Sequence, residues 1–509
     1  MKKKKELIII LGSLLVVVLS VTLAYFTTEI FGTGKDISLD SANLKITFSS
    51  GSGNISGVNI EPGWSSGIST FTVKNESNDT YKYNIVIKDL VNTFVTTGFL
   101  QYKITSTDGG YNMSAFKDIP KSTTQKDTIL AYSVEIAKGT THTYSVEFKY
   151  ENSSEVDQSD DMGKILSGTL YIEKGTVDHG DYEEGTLGWQ IMDNNPTRSE
   201  RTDFSDALTI TNTGTLYKAT ESIVGSVAKT VYYFAGDAKN NWVKFGGFYW
   251  RIVRTNHDSS IRLLYSGTSP DTTEGFIEKS GFNGERNDPV YVGYMYGTSG
   301  TLASNRTNKN NSTIKGVIDT WYSNNLISYT KYISTEAVYC NDRKAPDYDT
   351  SNSFDYYVDT RLKAGNPTYD CEDTKDAFSG SNSEAKLTYP IGLMTADEVI
   401  YAGGKIVTFS TSPYAWYQLN SAGDSITGNT DWWLLSPKDY SLYSSNNYYS
   451  YFFYVHNIST SEKGYLGGDF VTMRKSVRPV TSLKSCVLWK SGDGSPEKPY
   501  EIEETESGC

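Results

Sequence analysis

Residues 431–484 begin with DWWLLSP (Asp431 to Pro437) and end with VRPVTSLK (Val477 to Lys484). Between these ends, residues 440–456 read YSLYSSNNYYSYFFYVH, which is almost entirely Tyr, Ser, Asn and Phe. Tyrosine offers a large contact area at a low entropic cost, and Ser and Asn offer adaptable hydrogen bonds, as in antibody combining sites. The composition therefore indicates a recognition surface. The alternative is that it reflects the whole chain, which contains 38 Tyr.

The predicted recognition surface is a loop over residues 438–457. Its candidate ligand contacts are the tyrosines, the adjacent asparagines and the histidine that follows them. They are Tyr440, Tyr443, Asn446, Asn447, Tyr448, Tyr449, Tyr451, Tyr454 and His456. The partner expected for such a surface is an extracellular protein or a glycan.

Length and composition limit the class of protein. A chain of 509 residues is expected to hold two or three domains. Hydrophobic residues make up 38% and charged residues 21%, which fits folded β structure rather than disorder. The net charge of −13 argues against a nucleic-acid partner, because contacts to phosphate dominate that kind of affinity.

The N-terminus has the pattern of a targeting segment. Lys2 to Lys5 form a positive stretch, and an almost continuous apolar run follows from Leu7 to Leu23. This pattern predicts a secretory signal, and the apolar length also borders on that of a membrane-spanning helix. Residues 1–26 are therefore expected to be a signal peptide or an N-terminal membrane anchor. In either case the rest of the chain is extracellular or displayed on the cell surface.

Four cysteines, Cys340, Cys371, Cys486 and Cys509, fall in the exported part of the chain. Exported cysteines form disulfides, and four of them allow three pairings. Pairing of sequence neighbours is the simplest expectation. No Cys-x-x-Cys or His-x-x-x-His spacing is present, so neither a metal nor another cofactor is predicted.

Residues 27–175 alternate between apolar and polar side chains in short runs, for example at Leu44, Ile46 and Phe48. A period of two places one face of a strand in a core and the other in water. Turn signals such as Pro62-Gly63 separate the runs. The expected fold of this domain is an antiparallel β-sandwich. Residues 176–213 are polar and mixed, and they are predicted to be a linker with at most one short strand.

The second domain, residues 214–485, is predicted to combine strands with two short helices. Residues 242–254 indicate a hairpin that turns at Gly246-Gly247. The two helices are expected at 313–326 and at 394–402. Ser312 is the predicted cap of the first, and Thr395 with Glu398 forms a predicted capping box in the second. The turn-rich residues 486–509 are expected to be a C-terminal tail.

The first domain resembles the TasA/camelysin group of Gram-positive secreted matrix proteins. The shared features are Ala24-Tyr-Phe-Thr, then LKITF, Glu-Pro-Gly, FTVKN and a Tyr-x-Ile-x-Ile strand that ends at Ile87. The resemblance implies a jelly-roll-like sandwich and assembly into a biofilm or extracellular matrix. Some members have been described as metallopeptidases, which is disfavoured for this chain. His142 is the only histidine in the domain, it is expected to face solvent, and no His-Glu-x-x-His motif accompanies it.

The second domain resembles uncharacterised bacterial extracellular domains. FYWRIVR (Phe248 to Arg254), DWWLLSP and VRPV carry the resemblance over residues 215–485. Those domains look like the C-type-lectin-like fold in its formylglycine-generating-enzyme variant, in which this interval carries the ligand-facing loops. The enzyme needs a redox-active cysteine pair, and the surroundings of Cys340 do not match its motif, which favours a structural disulfide.

The resemblance also implies a source for the unusual composition. In several such proteins a diversity-generating retroelement mutates Asn codons to give Asn, Tyr, Ser, Asp, His and Phe. Residues 439–457, and also Asp469, show this set of amino acids. An Asn- and Tyr-biased genome would produce the same pattern.

The sequence as a whole predicts a mostly β, non-catalytic surface or secreted protein. Its jelly-roll-like sandwich is followed by an α+β C-type-lectin-like domain that binds a protein or glycan. The alternative is a structural matrix protein that assembles through its sandwich. A camelysin-type metallopeptidase is the disfavoured third interpretation.

Overall fold

The computed structural model describes residues 37–39, 44–48, 54–58, 60–77, 79–208, 215–346, 352–406, 416–445, 447–457 and 464–509. The predicted signal or anchor at residues 1–26 lies outside these ranges. Within them, no helix has both the length and the apolar character needed to cross a membrane. The chain is mostly β and forms two compact units, which divide between Asp178 and His179.

The described part of the first unit consists of strands and one short 3₁₀ turn. The strands are β1 (Ile37–Leu39), β2 (Leu44–Phe48), β3 (Asn54–Val58), β4 (Trp64–Ser65), β5 (Ser69–Asn75), β6 (Tyr81–Asn92), β7 (Leu100–Ser106), β8 (Lys117–Asp118), β9 (Ser122–Ile136), β10 (Thr141–Tyr150) and β11 (Ile165–Lys174). One sheet has the order β1-β2-β5-β10-β7-β8, with β4 also paired to β10. The other has the order β3-β11-β6-β9.

The two sheets of the first unit share one hydrophobic core. Phe71 of β5 and Tyr144 of β10 stack with ring centroids 4.8 Å apart, and Ile85 and Leu170 of the second sheet belong to the same cluster. Every second side chain of β10 is buried, as its alternating sequence predicts. The prediction of antiparallel β structure for this region is therefore confirmed.

The expectation that His142 faces solvent is wrong. His142 is 5% exposed, and its Nδ1 lies 2.9 Å from the hydroxyl of Tyr83. Burial lowers the pKa of the imidazole, which Asp108 opposes in part. The reason is the phase of β10, because His142 is two residues before Tyr144 and so lies on the same, core-facing side of the strand.

The second unit contains twenty strands and five α-helices within the described ranges. Its strands are β12 (Arg198–Glu200), β13 (Thr215–Glu221), β14 (Lys229–Ala235), β15 (Trp242–Phe245), β16 (Phe248–Thr255), β17 (Ile261–Tyr265), β18 (Lys279–Ser280), β19 (Met295–Tyr296), β20 (Asn310–Asn311), β21 (Tyr339–Cys340), β22 (Phe354–Asp355), β23 (Ala377–Phe378), β24 (Ile391–Leu393), β25 (Trp432–Ser444), β26 (Asn447–Val455), β27 (Leu466–Phe470), β28 (Lys475–Ser476), β29 (Pro479–Leu483), β30 (Trp489–Ser491) and β31 (Tyr500–Ile502). Its helices are α1 (Leu187–Asn194), α2 (Leu302–Asn305), α3 (Thr313–Asn325), α4 (Tyr357–Lys363) and α5 (Ala396–Tyr401).

Two larger sheets organise this unit. The first has ten strands, with the order β12-β13-β14-β16-β15-β31-β30, and β17, β29 and β24 extend it from β16. The predicted hairpin at Gly246-Gly247 is the connection between β15 and β16. The second sheet has six strands, with the order β18-β28-β25-β26-β27, and β22 pairs with β25. This second sheet carries most of the predicted recognition residues.

Both predicted helices are present. Ser312 caps α3 by accepting a hydrogen bond from the amide of Lys315, and Ile314, Ile318 and Tyr322 form its buried stripe. The Thr395 hydroxyl and the Glu398 carboxylate of α5 form the two reciprocal bonds of a capping box. The polar and apolar spacing of each segment was sufficient to predict these two elements.

The predicted linker and tail need correction. Residues 187–194, inside the expected linker, form α1, and its Leu187 and Ile191 are buried in the core of the second unit. Residues 489–491 and 500–502, inside the expected tail, form β30 and β31, and β31 pairs with β15. Each segment is short and contributes only a few side chains to a large core, so its sequence carries little periodic signal.

The cysteines pair as sequence neighbours, as the simplest expectation had it. Cys340 is bonded to Cys371, and Cys486 to Cys509. Both disulfides lie in the second unit. Disulfides of this kind are typical of extracellular proteins.

Candidate functional site

The predicted recognition loop is a β-hairpin. Strands β25 and β26 pair from Trp432 and Val455 at one end to Ser444 and Asn447 at the other. Only two residues connect them, and the first, Ser445, has a φ of +35°. The expectation of a loop is wrong because alternating aromatic residues favour a pleated strand, whatever their role in binding.

One face of this hairpin is held firmly against the unit. Phe452 stacks on Phe282 with ring centroids 3.8 Å apart. The Ser450 hydroxyl donates to the carbonyl of Asp288 at 2.7 Å, and the Trp433 indole donates to the carbonyl of Ser280 at 2.9 Å. The buried face therefore fixes the hairpin, and strand geometry sends alternate side chains to the opposite face.

Four aromatic residues gather on that opposite face, and we name them, together with Arg286, the aromatic patch. They are Tyr443, Tyr449, Tyr451 and Phe470. The Phe470 ring centroid lies 5.2 Å from that of Tyr443, 5.3 Å from Tyr449 and 4.7 Å from Tyr451. Tyr443 is 58% exposed, and the other three rings are partly exposed.

Arg286 completes the aromatic patch with a positive charge. Its guanidinium carbon lies 4.2 Å from the ring centroid of Tyr449 and 4.5 Å from that of Phe470. Its carbonyl accepts a hydrogen bond of 2.7 Å from the Ser450 amide, which fixes its backbone beside β26. A cation over aromatic faces contributes about 0.5–1 kcal/mol at an exposed site and also holds the rings in place.

Tyr440 is a core residue, although it was predicted to contact a ligand. It is 2% exposed, and its hydroxyl donates to the carbonyl of Asn287 at 3.2 Å. Burial raises its pKa to about 12, with a smaller contribution from Asp288. Tyr448 stacks on it with centroids 5.7 Å apart and remains partly exposed.

Tyr454 and His456 have contacts outside the aromatic patch. The ring of Tyr454 has the ammonium of Lys475 3.7 Å from its centroid. His456 Nδ1 lies 3.4 Å from a carboxylate oxygen of Asp431. Asn447 is exposed at the turn, and Asn446 lies outside the described residues. Of the eight predicted residues that the structure describes, three lie in the aromatic patch, at positions 443, 449 and 451.

Two members of the aromatic patch were missed by sequence reasoning. Phe470 follows Asp469, which was noted as compositionally similar to the hairpin, so its position was a usable signal. Arg286 lies more than 150 residues before Tyr449, and nothing in its local sequence indicates the contact. The tertiary fold of the chain between β18 and β26 places Arg286 beside Tyr449.

A second group of polar residues is buried beneath α5. The Glu398 carboxylate accepts a hydrogen bond of 2.8 Å from Arg254 Nε and is also ion-paired to Arg262. Arg254 in turn contacts Glu221 at 2.9 Å. Burial alone would raise the pKa of Glu398, but the Arg262 and Arg254 guanidinium groups hold it below its ordinary value. All four side chains are buried, so this network supports the fold around the capping box.

The ion-paired network continues towards the Cys340–Cys371 disulfide. Arg361 contacts Asp342 at 3.0 Å and Asp397 at 2.9 Å. Burial raises the pKa of Asp342 to about 6, against the opposing charge of Arg361. In the part of the chain that the structure describes, no three His, Cys, Asp or Glu side chains form a group that could hold a metal ion.

The fold and the aromatic patch define a mostly β, disulfide-bonded protein with an exposed cluster of rings on a fixed hairpin. No protein-family model matches the chain, and no curated protein or solved structure matches it either.

Proposed function

We propose that this chain is a non-catalytic recognition protein of the cell exterior. Its second unit, as a C-type-lectin-like domain, binds an extracellular protein or glycan through the aromatic patch. The observation that carries the proposal is the exposure of three tyrosines and Phe470 around Arg286, on a hairpin whose other face is buried. The two disulfides support a location outside the cytoplasm.

The chemistry of the aromatic patch suits recognition. Tyrosine, tryptophan and arginine are enriched among the residues that dominate binding energy at protein interfaces. Rings that are already packed against each other lose little conformational freedom when a partner covers them. Tyr443, Tyr449 and Tyr451 also keep hydroxyl groups for polar contacts at the rim of an interface.

The position of residues 439–457, whose composition resembles that of diversified segments, supports the same proposal. Side chains on the exposed face of β26 can change without disturbing Phe452 and Ser450, which point to the buried face. Diversification of the exposed positions within residues 439–457 would alter the partner while the hairpin remained folded. Replacement of Tyr440, which is buried, would not be tolerated in the same way.

The test compares two double variants of the full chain on a glycan array and on extracellular proteins of neighbouring cells. The patch variant carries Tyr443→Ser and Tyr449→Ser. The control carries Tyr132→Ser and Tyr357→Ser, two tyrosines with exposures of 39% and 42% outside the patch. We expect binding to fall at least about tenfold in the patch variant only, which corresponds to about 1.4 kcal/mol.

Two results would count against recognition through this face. One is equal binding by the patch and control variants. The other is the absence of binding to every glycan and protein offered, by the unchanged chain at micromolar concentration.

One observation favours the alternative of a matrix protein that assembles. In the described part of the first unit, β9 ends its sheet and is 15 residues long. A long strand at the edge of a sheet can pair with a strand of a second chain. Concentration-dependent fibres, visible by electron microscopy and sedimentation, would support assembly. A chain that stays monomeric at millimolar concentration would remove this alternative.

A further inference from the structure

A cavity of about 210 Å³ lies in the second unit and is built from residues outside the hairpin. Trp242 and Arg251 of the ten-stranded sheet line it, together with Trp416 and the turn from Leu419 to Gly423. Cavities that hold drug-sized ligands measure about 300–1,000 Å³, so this one suits a single small molecule or one residue of a polymer.

Arg251 presents its charge to this cavity with little local compensation. Its Nε donates to the Asn241 side chain at 2.7 Å, and its Nη2 donates to the carbonyl of Ala238 at 2.8 Å. Its Nη1 faces the carbonyl of Leu419 at 3.5 Å, which is long for a hydrogen bond. Arg251 is only 3% exposed, so its charge is largely removed from bulk water.

A second buried arginine increases the positive potential. Arg478 is fully buried and donates to the carbonyls of Tyr265 and Tyr417 at 3.1 and 2.7 Å. Within the described ranges, no carboxylate lies within 4.0 Å of Arg251 or Arg478, in contrast to Arg254, which contacts two. Burial, together with the charge of Arg478, lowers the pKa of Arg251 to about 9, and the charge of Asp237 opposes this in part.

The two other charged residues of the lining, Asp237 and Lys239, have opposite signs, and Asp237 also acts on Arg251. Asp237 is ion-paired with Lys239 at 2.6 Å. The aromatic walls also favour a cation at this point, since the guanidinium carbon of Arg251 lies 4.3 Å from the ring centroid of Trp242 and 5.4 Å from that of Trp416. The lining therefore carries a net positive charge that an anion would neutralise.

We propose that this cavity binds a small carboxylate-bearing ligand of the uronic-acid class, with the carboxylate on Arg251 Nη1. A buried charge without a counter-charge in contact is costly, and a charge-assisted hydrogen bond to a carboxylate offsets that cost. The exposed Ser421 on the lining gives a hydroxyl for a sugar hydroxyl, and the two tryptophans give an apolar wall. This site is separate from the aromatic patch and does not depend on it.

The test places a competing charge at the mouth of the cavity. Ala422 is exposed and lines the cavity. Its backbone amide donates a hydrogen bond to the Asn420 side chain, which a change of the Ala422 side chain leaves in place. Ala422→Glu adds a carboxylate there, and Ala422→Gln is its neutral, equal-sized control. Neither change touches Arg251, so folding is expected to be unaffected in both variants.

The probes are sodium glucuronate, neutral glucose and inorganic phosphate, measured on the full chain by titration calorimetry and by thermal unfolding. We expect glucuronate to bind and to raise the unfolding midpoint, since a ligand of the folded state stabilises it. Glucose is expected not to bind. Ala422→Glu is expected to weaken glucuronate binding at least about tenfold relative to Ala422→Gln.

Three outcomes would overturn the proposal. They are no glucuronate binding at millimolar concentration, equal binding by Ala422→Glu and Ala422→Gln, and binding of phosphate in place of glucuronate. Loss of glucuronate binding in the Tyr443→Ser, Tyr449→Ser variant would likewise assign the ligand to the aromatic patch.

Discussion

Buried arginines in the second unit differ in how many carboxylates reach them. Arg254 contacts Glu221 and Glu398, and Arg262 contacts Glu398. One carboxylate therefore serves two guanidinium groups and also closes the capping box of α5. Removing the charge of Glu398 leaves Arg262 without a carboxylate partner among the described residues.

Glu398→Gln is expected to destabilise the protein by about 3–5 kcal/mol, the usual cost of breaking a buried ion pair from one side. Urea denaturation followed by tryptophan fluorescence would measure the change. Glu501→Gln is the control, because Glu501 lies 3.9 Å from Lys244 at the surface and such pairs contribute at most about 1 kcal/mol. Equal effects of the two changes would show that the network around Glu398 is not stabilising.

The contribution of Asp342 to the free energy of unfolding is expected to decrease as pH rises. Burial raises its pKa to about 6 in the folded state, whereas an unfolded Asp titrates near about 3.9. Between these two values the folded state holds a proton that the unfolded state releases, so the contribution of Asp342 to stability falls as pH rises from about 4 to 6. At lower pH that contribution is fully present.

Asp342→Asn removes this titration. We expect the free energy of unfolding of the unchanged chain, relative to the variant, to decrease between about pH 4 and 6 and to level off above that range. Denaturation curves at half-unit pH intervals would show it. A difference that stays constant with pH would mean that Asp342 titrates normally.

The two faces of the hairpin formed by β25 and β26 have different roles: one packs against the core, and the other is exposed. Phe452 lies on the buried face against Phe282, and Tyr449 lies on the displayed face beside Arg286. The period of two that places them on opposite faces is a property of the strand, so it is independent of the identity of either residue. Changes on the two faces should therefore have different consequences.

Phe452→Ala is expected to cost about 3–5 kcal/mol of stability, since it removes a fully buried ring. Tyr449→Ser is expected to cost less than about 1 kcal/mol, because that ring is partly exposed. Thermal and urea unfolding of both variants would test the contrast. A large loss of stability in Tyr449→Ser would make the aromatic patch a structural cluster instead of a binding surface.

At the scale of the whole molecule, the disulfides are unevenly distributed. Each unit has its own hydrophobic core, and both disulfides belong to the second unit. They close loops with sequence separations of 31 and 23 residues. Each loop closure of this length stabilises by about 3–4 kcal/mol through the lost entropy of the unfolded chain.

Reduction is therefore expected to lower the unfolding temperature of one unit only. Differential scanning calorimetry of the full chain, with and without dithiothreitol, should show one shifted transition and one unchanged transition. Cys340→Ser with Cys371→Ser should reproduce part of the shift without any reductant. A shift of both transitions would indicate that the two units unfold together.

The sequence by itself determined the elements whose signals are local. Alternation predicted the strands of the first unit, and Ser312, Thr395 and Glu398 predicted helix starts, because caps and periodicity depend on residues only a few positions apart. The pairing of Cys340 with Cys371 is the simplest of the three that the sequence allows, and the structure decided it. The Tyr-rich composition of residues 440–456 is likewise a local property of the sequence.

Tertiary structure alone decided which side chains of that run are displayed. Tyr440 and Tyr449 have the same side chain, yet contact with Asn287 buries the first and contact with Arg286 holds the second at the surface. These contacts join segments more than 150 residues apart, so no local pattern encodes them. The same holds for Arg251 and Arg254, since only packing of distant segments determines which of the two receives a carboxylate.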